Sequence, residues 1–244
     1  MKLHSTIIHN FCILLRLGAF GLVDAGDALQ PMSPHKWRKM LLVAEKLHVR
    51  GYVMLGARQM ADNPLIYPFL TQMPAEQDEY DLSHSELFNH WTQRHLEEVR
   101  EEEMNAPDTS ESTLILLDHI VANANAIISS DVSIHGMISL GVFLQRHNDE
   151  IDHDKLRHWL SQIGLVQLAS LQANMLIDAM GVSPDLFPFR RRPYRKARKL
   201  FMQPIEKAFD KHSFSHLTRL NVALVETLSK NFVSSISLVT DIEE

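Results

Sequence analysis

Cysteine is nearly missing from this 244-residue chain, in which Cys12 is the single thiol. One thiol closes no internal disulfide and builds no thiolate zinc cluster, so neither kind of covalent staple is open to the fold. Nine glycines and ten prolines are few for the length and lie scattered, which disfavours a turn-dense all-β sandwich. No stretch reaches the roughly 18 consecutive apolar residues of a membrane span. The chain also has no G-x-S-x-G elbow, no G-x-x-x-x-G-K-S/T loop and no G-x-G-x-x-G fingerprint, so the common hydrolase and nucleotide cradles are missing. No internal repeat of fixed period is present. What is there is 45% hydrophobic and 22% charged residues with a net charge of -6. That composition is too apolar for a disordered chain and ample for a buried core.

Met1 and Lys2 precede an apolar run through Ile7, Phe11, Ile13, Leu14, Leu15 and Leu17, interrupted by Arg16. A secretory signal needs an uncharged apolar block and a small-residue cleavage site. Neither is clear, so the run reads as an amphipathic helix with Ile7, Phe11, Leu14 and Leu15 on one face, in a cytoplasmic protein. Gly18, Phe20, Gly21 and Gly26 read as the loop that follows.

Helix signals recur along the chain. Ser33 with Pro34 is an N-cap with proline at the first helical position, opening a segment from His35 to about Arg50 that Gly51 ends. Tyr52 to Met60 forms a short helix, and Glu76 to Asp81 a loop. Ser83 to Glu86 fits a capping box before a polar helix reaching Met104. After a loop from Asn105 to Ser112, Leu114, Leu117, Val121 and Ile128 mark the next helix. Asp131 or Ser133 caps a segment through Phe143, and Asp152 caps another that Gly164 closes. Val166 to Met180 ends at Gly181, Ser183 with Pro184 starts a short turn, and helices follow near Pro193 to Lys211 and Ser215 to Leu238. The last ends in a β-branched patch, Val233, Ile236 and Val239, that would also suit a strand. The pattern predicts a single all-α domain spanning residues 1–244, an orthogonal bundle of roughly nine to eleven helices. An N-terminal subdomain over 1–75 packed on 83–244 is the variant of that reading.

The charge is unevenly placed. Between Arg190 and Lys199 seven of ten residues are basic: Arg190, Arg191, Arg192, Arg195, Lys196, Arg198 and Lys199. Setting these aside leaves 17 basic against 30 acidic residues, so the rest of the chain carries about -13. Pro193 and Tyr194 lie inside the run, while Phe187, Phe189 and Phe201 flank it, which offers a stacking surface beside a phosphate-binding one. Two readings stand: a site for an anionic partner, or a solvated helix start paired with the protein's own acidic surface. Cations at a helix N-terminus oppose the macrodipole by about 0.3 to 1 kcal/mol each, a cost that a bound anion relieves. The acidic run Glu97, Glu98, Glu101, Glu102 and Glu103 reads as a solubilising helix face, with docking onto the arginine cluster as the alternative.

Other chemistry-bearing residues group poorly. His147, Asp149, Asp152, His153, Asp154 and His158 are the densest metal-ligand candidates, but His153 and His158, like His90 and His95, are five apart and diverge on a helix. Asp152 and Asp154 form an Asp-x-Asp whose carboxylates point about 200° apart around a helix axis. His84, His212 and His216 are isolated, and Cys12 lies in an apolar stretch where desolvation keeps a thiol inert. No catalytic residue, metal or cofactor is assigned.

The strings Ile13 to Gly21 (ILLRLGAFG), Ser33 to Trp37 (SPHKW) and Ala44 to Tyr52 (AEKLHVRGY) resemble the helical opening of uncharacterised nucleotidyltransferase-like proteins of Bacteroidetes. Phe143 to Leu165 likewise resembles the helical region after their catalytic sheet. The resemblance touches about half of the chain through helix-packing patterns. It implies a Gly-Ser turn and a strand Asp-x-Asp that hold nucleotide phosphates and magnesium, and between Arg50 and Thr113 this chain has neither. No catalytic residue carries over.

The expected function is a non-catalytic helical accessory or binding protein that meets a macromolecular partner with an acidic or phosphate-bearing surface, protein or nucleic acid. The contact residues are Arg190, Arg191, Arg192, Tyr194, Arg195, Lys196, Arg198 and Lys199. The alternatives are a degenerate or unusual nucleotidyl- or phosphoryl-transfer enzyme, in which Arg191, Arg195 and Lys199 hold phosphates, and a nucleic-acid-binding module that stacks bases on Tyr194.

Overall fold

Helix α1 (Ser5–Phe20) forms where the apolar residues recur at three- and four-residue steps, and Ile7, Phe11, Leu14 and Leu15 of that face are all buried. In the computed structural model, residues 5–22, 28–66, 70, 75–82, 86–87, 90–129, 132–190 and 193–209 are described. Eight further α-helices follow among them: α2 (Pro34–Lys46), α3 (Arg50–Gln59), α4 (His90–Met104), α5 (Glu111–Ile128), α6 (Ile134–His147), α7 (His153–Ile163), α8 (Val166–Met180) and α9 (Ala197–Phe209). Two short 3₁₀ turns, Asn148–Glu150 and Pro184–Leu186, complete the regular structure, and no strand occurs among the described residues. The all-α orthogonal bundle expected from the sequence is the observed fold.

The caps explain many of the boundaries. Ser33 Oγ accepts from the Lys36 amide, Ser133 Oγ from the Gly136 amide, and the Asp152 carboxylate from the amides of Asp154 and Lys155. Gly164 and Gly181 adopt left-handed φ values of 80° and 70° and close α7 and α8.

Packing is organised by the crossing of α1 on α3. A Cβ on Gly18 would stand 1.8 Å from the Tyr52 carbonyl oxygen, and one on Gly56 would stand 2.1 Å from the Leu14 carbonyl oxygen. The two backbones touch, so Gly18 lies within α1 instead of in the loop expected there, and Gly21 ends the helix. Asn10 is fully buried on α1 yet satisfied: its amide donates to the Gln30 carbonyl at 2.8 Å and its oxygen accepts from the Gln30 amide at 2.9 Å. α8 and α9 pair closely, as do α5 and α6, while α1 and α2 reach α9. One apolar cluster runs through all of these, from Ile7 to Phe209.

Several boundaries differ from expectation. α2 stops at Lys46, and His48 turns the chain with a left-handed φ of 55°, so Gly51 sits inside α3 instead of ending α2. A Cβ on Gly51 would meet the Glu76 carbonyl oxygen at 2.4 Å, which is the packing reason for glycine there. Glu86 and Leu87 are not helical, because the Glu86 carbonyl accepts from the Asn125 side chain and the Leu87 amide donates to Gln93 Oε1; α4 starts at His90. α9 begins at Ala197, not Pro193, with the Ala197 amide closing a turn onto the Tyr194 carbonyl. The expected helix Ser215 to Leu238 and its β-branched patch lie outside the described residues, as do His84, His212 and His216.

Candidate functional site

The basic segment enters from the 3₁₀ turn after α8. Phe187 and Phe189 pack edge to face with ring centroids 5.9 Å apart, and both are buried. Phe201 is fully buried on α9. None of these rings is available to a ligand, so the expected stacking surface is corrected to a hydrophobic anchor that holds the segment down. Arg190 also points inward: its Nε donates to Asn174 Oδ1 at 2.8 Å, while the Asn174 amide donates to the Ser170 carbonyl. Arg191 and Arg192 lie outside the described residues. Tyr194 is half-buried, and burial pushes its phenol pKa up.

Four of the expected contact residues share one exposed surface. Arg195, Lys196, Arg198 and Lys199 are all exposed at the start of α9, interrupted only by buried Ala197. None of the four makes an ion pair among the described residues, and the first turn of α9 carries no acidic side chain. Part of the acidic run on α4 is engaged elsewhere. Glu98 pairs with Arg94 and His95, and nearly buried Glu103 takes Lys155 at 3.0 Å and the Ser110 amide at 2.6 Å. The intramolecular dock of the acidic run onto the basic cluster is therefore not seen among the described residues.

The histidine-rich segment is consumed by local contacts. His147 Nδ1 lies 2.9 Å from Glu150 Oε2, His153 Nε2 lies 3.3 Å from Asn148 Oδ1, and Asp154 pairs with Arg157. Cys12 is half-buried with its Sγ 4.0 Å from Met202 Sδ, and desolvation pushes its thiol pKa up to about 12.

A concavity elsewhere on the bundle was not expected from the sequence. Residues 75–80 cross the bundle as a strap pinned by Gln77, whose amide donates to the His48 carbonyl at 2.7 Å and whose Oε1 accepts from the Tyr52 amide at 3.4 Å. Gly51 and Gly136 admit it: a Cβ on Gly136 would lie 2.6 Å from the Tyr80 ring. Between this strap and α3, α5 and α6 lies a cleft of about 630 Å³. Tyr80 stacks on His119 at 6.0 Å, His119 meets Phe143 at 5.3 Å, and Phe143 stacks on His147 at 4.6 Å. His119 is 7% exposed, and its Nδ1 is sealed from solvent with no hydrogen-bond partner. Burial, and then nearby His135, lower its pKa to about 4, so it is neutral at pH 7. His135 is similarly lowered by burial while its Nε2 donates to the Asp78 carbonyl at 3.0 Å. Tyr52, hydrogen-bonded to Ser139, is raised by burial. The signal that could have pointed toward this cleft is His119, a buried polar residue on a helix whose buried side chains are mostly apolar.

Comparison with known proteins finds no match: no family model, no curated protein and no solved structure corresponds to this chain. The resemblance to nucleotidyltransferase-like proteins accordingly rests on the quoted sequence strings alone. Among the described residues, no helix is long and apolar enough to cross a membrane.

Proposed function

We propose that this chain is a non-catalytic binding protein whose contact surface is the start of α9 and whose partner presents an acidic protein segment. The observation that carries the reading is the set of four exposed cations within five residues, Arg195, Lys196, Arg198 and Lys199, none with an acidic partner among the described residues. Their placement at a helix N-terminus works against the macrodipole, and a carboxylate-rich partner would relieve that conflict. The anchor formed by Phe187, Phe189 and the Arg190 to Asn174 hydrogen bond fixes the surface in place, which lowers the ordering cost of association. A protein partner is favoured over nucleic acid because the rings that would have stacked bases are buried, leaving Tyr194 as the one partly exposed aromatic residue of the run.

The test is a fluorescence-anisotropy titration of the full chain with labelled polyglutamate and, separately, labelled single-stranded DNA of matched charge, each at two salt concentrations. The proposal expects tighter binding to polyglutamate and a loss of at least tenfold when Arg195, Lys196, Arg198 and Lys199 are all changed to Ala with the helical signal intact. Equal or tighter binding of DNA, with a log-log salt slope of about -0.7 per neutralised phosphate, would transfer the surface to nucleic acid. Binding unchanged in the quadruple variant would remove the surface from consideration.

A further inference from the structure

The cleft beside the strap at 75–80 has the features of a built small-molecule site, independently of the basic surface. Its volume of about 630 Å³ lies within the range of ordinary ligand pockets. Its walls combine flat aromatic faces with polar and charged groups. Tyr80, His119, Phe143 and His147 form a continuous ladder of rings with successive centroids 6.0, 5.3 and 4.6 Å apart. Leu55, 40% exposed, stands at the same cleft as an apolar edge without a cover.

Two polar features ask for a partner. His119 is more than nine-tenths buried and its Nδ1 is unpartnered. A buried polar nitrogen without a partner is costly, and because His119 lines the cleft, the part of its imidazole that reaches the cleft offers a ligand a polar contact. Arg146, exposed on α6 at the cleft wall, makes no ion pair among the described residues, whereas its neighbour His147 is held by Glu150. The opposite wall carries Asp78 and Glu79 of the strap, both exposed. The cleft is thus polarised, positive along α6 and negative along the strap.

We infer that this cleft binds a small planar aromatic carboxylate, its ring system lying along the Tyr80 to Phe143 ladder, its carboxylate on Arg146 and a polar ring atom or substituent on His119. The polarity fixes the orientation, since the reversed pose would set the carboxylate against Asp78 and Glu79. A planar aromatic ligand suits the ladder because offset stacking and edge-to-face contacts at these spacings are favourable. Arg146 suits a carboxylate because its guanidinium presents paired N–H groups in the matching geometry.

The experiment displaces the fluorescent probe 8-anilinonaphthalene-1-sulfonate from the full chain with 2-naphthoate or with its neutral counterpart 2-naphthalenemethanol. Arg146→Gln, His119→Phe and the quadruple alanine variant of the α9 surface are measured alongside. The inference expects 2-naphthoate to compete at least tenfold better than the alcohol. It expects that advantage to vanish in Arg146→Gln, overall affinity to fall at least fivefold in His119→Phe, and neither to change in the α9 variant. Circular dichroism confirms that each variant keeps its helical content. The inference is overturned by equal competition from acid and alcohol, by an unaltered response in either cleft variant, by absence of probe binding, or by loss of binding in the α9 variant. The last result would place the anion on the basic surface.

Discussion

Replacing Gly18 with Ala puts a methyl group where the crossing of α1 and α3 leaves no room. The new Cβ would sit 1.8 Å from the Tyr52 carbonyl oxygen and within 3 Å of the Gly56 amide nitrogen. Overpacking costs about 1 to 3 kcal/mol, and the upper end applies here because a backbone carbonyl inside a helix cannot swing aside as a side chain can. The better helix propensity of alanine offsets up to about 1 kcal/mol, leaving a net loss of about 2 kcal/mol. For a chain of this size that corresponds to a Tm lower by about 4 to 8 °C. The assay is thermal unfolding followed by circular dichroism at matched protein concentration, with Gly141→Ala as the comparison. At Gly141 the obstacle is the edge of the Phe20 ring at 2.9 Å, which can shift, so the loss there is smaller. A Gly18→Ala midpoint equal to or above wild type would refute the backbone contact between α1 and α3.

Asp152→Ala removes the acceptor for the amides of Asp154 and Lys155 and lowers stability by about 1 kcal/mol, read by urea denaturation. Gln203 on α9 is 5% exposed with both its side-chain oxygen and nitrogen unpartnered; Gln203→Met, of similar volume, therefore raises stability by about 1 to 3 kcal/mol in the same measurement. His119 titrates near 4 when folded against about 6.5 unfolded, so the folded state binds fewer protons between those values. Its stabilising share is complete above pH 6.5 and declines as pH falls toward 4, amounting to about 2 kcal/mol lost by pH 5. Denaturation at pH 7 and pH 5 should show that loss in wild type and a smaller one in His119→Phe; identical losses would contradict the burial of a neutral imidazole.

Those boundaries that depend on neighbouring residues were readable in the sequence. Ser33, Ser133, Asp152, Gly164 and Gly181 act on amides and carbonyls within a turn of themselves, so their spacing was enough. Two of the positions that departed from expectation answer to distant groups: Asn125 takes the Glu86 carbonyl across 39 residues, and Glu76 presses on Gly51 across 25. The basic surface was half legible. Its charge is a property of composition, but which arginine turns inward depends on Asn174 of α8, and the burial of Phe187, Phe189 and Phe201 depends on packing against the core. The cleft was not legible, because its ladder draws Tyr80, His119 and Phe143 from three segments whose individual patterns signal only a loop and two helices.

The most direct test of the binding surface is a change of sign. With Arg195, Lys196, Arg198 and Lys199 replaced together by Glu, anisotropy titrations against labelled polyglutamate and labelled polylysine are compared with wild type at low salt. If the start of α9 is the contact surface, the variant loses polyglutamate binding and gains polylysine binding by at least tenfold. Retention of the wild-type preference for polyglutamate would contradict it.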